Sequence, residues 1–130
     1  IGVFIVLISY SHASKSKLHV SDIWGSWSLS SNTTGNRNVA DGAYALRYNT
    51  TGTYNVANGA YALYLNTTGV DNTAIGNQTL RFNTIGKQNT AVGAAALFTN
   101  TTGNNNTAVG LEALSANTIG GLNTAIGRTI

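Results

Sequence analysis

The strongest constraint on this chain is a phrase that returns every seventeen residues without slipping, opening at Asn32, Asn49, Asn66, Asn83, Asn100 and Asn117. With these asparagines as place 1, glycine holds place 4 from Gly35 to Gly120 and place 11 from Gly42 to Gly127, and asparagine holds place 7. Alanine is invariant at place 9, and leucine closes each complete copy at place 15. The consensus is N-T-(T/I)-G-x-x-N-(T/V)-A-x-G-x-x-(A/T)-L-x-x. A fixed period of this kind is the signature of a repeat architecture, in which one unit stacks on the next.

Two glycines per unit interrupt any helix, each costing about 1 kcal/mol relative to alanine. The N-T-T-G and G-x-x-N stretches carry turn chemistry, and helical solenoids need a period nearer 34 residues or more. The period therefore reads as one coil of an all-β fold, a parallel β-solenoid or β-roll of about six coils stacked ~4.8 Å apart. Each coil is expected to hold two short strands with turns at the glycines. N-T-A-V-G, as at Asn89 to Gly93, is the clearer strand; the G-x-x-A-L part reads as extended or irregular, although alanine and leucine would equally suit one helical turn.

Composition narrows the function classes. The chain has 130 residues, of which 8% are charged, and a net charge of +3. Its basic residues (Lys15, Lys17, Arg37, Arg47, Arg81, Lys87, Arg128) are scattered rather than gathered in the stripe that phosphates require, which argues against nucleic acid. Without cysteine there are no disulfides or thiolate metal sites. Disorder is excluded by the 42% hydrophobic content held at fixed places of the period.

Stacking in register places identical residues above one another, and asparagine amides can then bond up and down a column as donors and acceptors together. The place-7 residues Asn38, Asn55, Asn72, Asn89, Asn106 and Asn123 are the expected structural ladder, with Asn-Thr columns at places 1 and 2 beside it. Strand alternation points places 8 and 10 one way and the alanine at place 9 the other. The expected core comprises Ala40, Ala57, Ile75, Val92, Val109 and Ile126 with Leu46, Leu63, Leu80, Leu97 and Leu114. Both strand faces read as buried, which implies coils packed against their own chain on one side and against neighbouring chains on the other, in a homo-oligomer or filament.

The N-T-A-(V/I)-G strand with intervening N-T-T-G turns resembles the head repeats of trimeric autotransporter adhesins, and the similar repeats of phage tail-fibre and other surface-fibre proteins. The resemblance covers residues 32 to 130, with a period longer than the usual head repeat. It implies a parallel β-roll, association of three chains about a three-fold axis, an extracellular or cell-surface location, and adhesion to a host, matrix or carbohydrate surface.

Three regions follow from this reading. Residues 1–13 open on the apolar run IGVFIVLI, which reads either as the remnant of a secretory signal cleaved near Ala13 or as an assembly strand added to a neighbouring subunit. The run is too short to span a membrane. Residues 14–31 read as a capping segment over the first coil, with Trp24 and Trp27 as the cap or, alternatively, as carbohydrate-stacking rings. Residues 32–130 hold six repeats, the last incomplete, and the open end is expected to be covered by another domain or by the next subunit.

Catalysis finds no footing. The carboxylates Asp22, Asp41, Asp71 and Glu112 fall at unrelated places and the histidines, His12 and His19, precede the repeats, so neither an acid-base pair nor a metal cluster can be assembled. No cofactor is expected. Six N-x-T sequons arise, mostly from the consensus itself. Tyr44, Tyr48, Tyr54, Tyr61, Tyr64, Phe82 and Phe98 read as filler of an intersubunit seam or as a sticky outer surface. Two functions therefore compete: a self-associating structural or adhesive fibre module, as a trimer or head-to-tail filament, and an ice-binding solenoid using the threonine column from Thr33 to Thr118.

Overall fold

The computed structural model describes residues 21–128, and the apolar segment 1–13 lies outside them. Seven strands, one per coil, follow in order: β1 (Ser21–Trp24), β2 (Asn38–Asp41), β3 (Val56–Asn58), β4 (Thr73–Ile75), β5 (Thr90–Val92), β6 (Thr107–Val109) and β7 (Thr124–Ile126). They pair in chain order into a single parallel sheet, so the protein is an all-β parallel solenoid. Register never shifts: Ala40 lies opposite Ala57, Ala74 opposite Ala91 and Ala108 opposite Ala125. Coils are numbered here from coil 1 (residues 32–48) to coil 6 (from residue 117).

Each coil forms one strand rather than the expected two. In coil 2 the G-x-x-A-L stretch holds Gly59 at φ 139°, Tyr61 at 60° and Leu63 at 49°. Left-handed residues at alternate positions can continue neither an extended strand nor a right-handed helix, so the stretch is a chain of tight turns, with the Ala62 N–H donating to the Gly59 carbonyl at 3.1 Å. Coil-to-coil bonding continues through it nonetheless. The N–H of Tyr61 donates back to Ala43 O at 2.9 Å, and that of Leu63 donates forward to Thr79 O at 3.0 Å. Across the described residues, the non-glycine left-handed positions are places 6, 13 and 15, and none of the 18 residues there is Val, Ile or Thr. Branching at Cβ makes that backbone region most costly.

The interior is narrow. Leu29, Leu46, Leu63, Leu80 and Leu97 form a file of fully buried side chains, flanked by the place-9 alanines on the sheet and the place-14 alanines beside them. Each such leucine contributes about 1.5–3 kcal/mol by leaving water. Place 14 has room only for something small; where Thr79 replaces alanine it stays buried, and its hydroxyl donates to Gly93 O at 2.7 Å. Leu114 packs against the same file partly buried.

The aliphatic residues at place 10 are not in this core. Ile75 is 42% exposed and Ile126 79%, and Val92 and Val109 are half-buried. The strand alternation is as expected, but alanine is the inward residue from Ala40 to Ala108, fully buried between the sheet and the leucine file; only β1 puts a larger side chain there, Ile23, and it is partly buried. Places 8 and 10 consequently face outward together, so one side of the strand is buried within the chain, not both.

The segment expected to cap the first coil is, from Ser21 onward, a further coil. β1 pairs in parallel with β2 in the common register, Ile23 opposite Ala40, and Gly25 and Leu29 occupy places 11 and 15. Trp24 and Trp27 fall at places 10 and 13, pointing out of the coil wall, 46% and 43% exposed. Neither plugs the end of the leucine file. The rest of that segment, residues 14–20, lies outside the described residues.

Candidate functional site

Half of the interior is polar, and it is built from the invariant asparagines. At place 7, Asn72 donates both its backbone N–H (3.0 Å) and its Nδ2 (3.1 Å) to Oδ1 of Asn55. The second Nδ2 proton goes to the Gly86 carbonyl at 2.8 Å. The pattern runs unbroken from Asn38 to Asn106, and Asn123 donates into it at 3.1 and 3.0 Å.

The place-1 asparagines form a second ladder. Nδ2 of Asn66 donates to Oδ1 of Asn49 at 2.8 Å and to the carbonyl of its own place-4 glycine, Gly69, at 3.1 Å. That glycine carbonyl also accepts from Asn55 at 2.8 Å, which ties the two ladders together. Glycine is required at place 4 because a Cβ on Gly69 would stand 2.5 Å from the Gly86 carbonyl oxygen. From Asn49 to Asn106 each ladder amide has both Nδ2 protons bonded, so the columns stabilise the rod without the penalty of buried orphan groups.

The threonine column at place 2 is also bonded. The Thr67 hydroxyl donates to the Thr84 carbonyl at 3.1 Å, and the same oxygen accepts the Thr67 backbone N–H at 2.9 Å and the Thr68 N–H at 3.3 Å. These hydroxyl protons serve the stack rather than solvent.

Apolar side chains line two of the outer faces; Ile85 and Ile119 at place 3 and Tyr54 and Leu122 at place 6 are exposed elsewhere. The first is the sheet, where Thr73, Thr90, Thr107 and Thr124 run beside Ile75, Val92, Val109 and Ile126, while coils 1 and 2 show Val39 with Asp41 and Val56 with Asn58. The second is formed by places 12, 13, 16 and 17. Tyr44 and Tyr61 stack there with centroids 4.9 Å apart and an interplanar angle of 12°, and Tyr64 meets both edge-on. Arg47 lies over Trp27, Tyr44 and Tyr48 at 5.1 to 5.3 Å, and Arg81 lies over Tyr61 at 4.7 Å.

Aromatic residues that looked scattered along the chain are thus one ridge, except Tyr54, which bonds Arg37 at 2.8 Å on another side. The ring faces are covered by one another and by guanidinium groups, which leaves edges rather than flat platforms for a sugar. Arg81 Nε is buried without a hydrogen-bond partner; the surrounding rings compensate its charge instead. The hydrogen-bond partner Tyr48, together with burial, raises the Tyr64 phenol above its ordinary pKa.

Toward coils 4 and 5 the same face changes character. Alanine, serine and threonine replace tyrosine and arginine, and a groove of about 670 Å³ opens, lined by Ala95, Phe98, Thr99, Glu112, Ser115 and Ala116 among others. Among the described residues no cluster of His, Asp or Glu could hold a metal ion, and no helix is long and apolar enough to cross a membrane. Comparisons with protein-family models, with curated proteins and with solved structures give no match.

Proposed function

We propose that this chain is a non-enzymatic structural or adhesive module of an extracellular fibre, a stiff rod that associates with further copies of itself as a trimer or end to end. The observation that carries the reading is the unbroken register of the two asparagine ladders. Each coil bonds to its neighbours alone, so stability grows with the number of coils and the natural product is a rod. The outward Ile75, Val92 and Val109 support association, since a row of aliphatics on the outside of the sheet is stabilised by being covered. Mass in solution from sedimentation, with electron micrographs of the same sample, tests the proposal. Rods that associate reversibly support it; a monomer at all concentrations overturns it.

One observation favours a second reading, ice binding. The outward threonines of β4 to β7 stand in register on the parallel sheet, a better candidate than the place-2 column, whose hydroxyl protons are engaged. Thermal hysteresis of the purified chain, abolished by Thr90→Tyr and Thr107→Tyr, is the outcome that this reading requires.

A further inference from the structure

The ridge and the groove share one face and are displaced from each other along the rod. Coil 1 presents Tyr44, Arg47 and Tyr48; coil 5 presents Glu112, Ser115 and Ala116 at the same three places. Coil 2 presents Tyr61, Tyr64 and Leu65, and coil 4 presents Ala95, Phe98 and Thr99. Bulk thus falls from one end of the face to the other about coil 3. Charge is divided the same way. Arg47 stands on the ridge in coil 1 and Arg81 at the midpoint in coil 3, its charge covered by the Tyr61 and Tyr64 rings, while Glu112, exposed in the groove, is the one carboxylate on this face among the described residues.

We propose that a second copy of this chain docks on this face in antiparallel orientation, about a two-fold axis perpendicular to the rod at coil 3, so that each ridge fills the other copy's groove. The axis places coil 1 over the partner copy's coil 5, the bulky Tyr44, Arg47 and Tyr48 over Glu112, Ser115 and Ala116, and coil 2 over its coil 4, where Tyr61 meets Ala95 and Tyr64 meets the Phe98 ring. It also places Arg47 against Glu112, and does so twice, as an isologous contact must. Five coils at ~4.8 Å spacing make the shared face about 24 Å long. A parallel side-by-side contact would set tyrosine on tyrosine, groove on groove and Arg47 on Arg47. The same objection applies to a three-fold arrangement of parallel chains through this face, so a trimer must use another surface, such as the sheet. This inference rests on the self-association proposed above and adds to it a lateral, two-fold contact between rods.

Charge reversal in the full chain, read by sedimentation, tests the pairing. Arg47→Glu alone and Glu112→Arg alone are expected to weaken the dimer at least about tenfold, while the double variant recovers wild-type affinity within about threefold. The natural sequence has no cysteine, so orientation can be read by cross-linking. Mixing a Tyr48→Cys chain with an Ala116→Cys chain is expected to give a mixed disulfide faster than either chain links to itself. Tyr48→Cys chains that link to each other preferentially, or an oligomer indifferent to both single reversals, overturn the antiparallel pairing and leave self-association standing. A wild-type chain that is monomeric throughout overturns both. Circular dichroism of each variant confirms that the coils have formed.

Discussion

Asn72 reaches back seventeen residues to Asn55 with two donors at once, its backbone N–H at 3.0 Å and its side-chain amide at 3.1 Å, both on the same Oδ1. Since Asn89 repeats the same pair of bonds on Asn72, removing one amide breaks the column in two directions.

Asn72→Ala is therefore expected to cost about 2–6 kcal/mol, because two buried donors of Asn89 lose their acceptor at roughly 1–3 kcal/mol each. Asn72→Asp should cost at least as much, since it places a charge where the Gly86 carbonyl expects a donor. Urea unfolding followed by circular dichroism measures both. A loss below about 1 kcal/mol would show that the ladder is incidental to stability.

Left-handed backbone at place 13 makes a second prediction. Ala95 sits at φ 56°, a conformation that costs a non-glycine residue about 1–2 kcal/mol. Ala95→Gly relieves that strain and loses about 0.5–1 kcal/mol to the freer unfolded chain, so a small net stabilisation is expected. Ala95→Val should instead destabilise by about 1–2 kcal/mol, because its branched Cβ suits this region least. Equal melting temperatures for the three chains would sink the argument.

Core and outer face can be separated by truncation. Leu63→Ala empties a fully buried position and should cost about 2–5 kcal/mol. Ile75→Ala, at the outward place 10, should change the stability of the isolated rod by no more than about 0.5 kcal/mol. Denaturant midpoints at high dilution supply the comparison. A large Ile75 effect under those conditions would restore it to the core.

Alkaline stability should track Tyr64. Its hydrogen bond with Tyr48, with burial, raises the folded pKa above the unfolded value of about 10. The protonated phenol is thus favoured by folding: its contribution is complete below about pH 10 and is lost as pH rises through the folded value. Melting temperatures of wild type and Tyr64→Phe should keep a constant difference below that pH, and above it the wild type should lose ground, with the variant falling less. Ultraviolet titration of the phenolate checks the direction independently.

The repeat and its solenoid were legible because stacking demands identity at fixed intervals, and the asparagines, glycines and leucines display that interval openly. The extra coil from Ser21 was also written in the chain, in Gly25 and Leu29 at places 11 and 15, but substitutions at places 7, 9 and 14 obscured it.

Other features were decided only by the tertiary structure. Alternation paired Ile75 with Thr73 on one side of the strand, yet which side faced inward depended on how much room the leucine file left beneath the sheet. The second strand dissolved into turns because backbone angles at Tyr61 and Leu63 answer to the closure of the coil, which no local residue preference announces. Tyr44, Tyr61 and Arg81, distant in sequence, became one ridge because stacking brings residues a period apart within contact. Periodicity determined what repeats; the width of the coil determined what lies inside it.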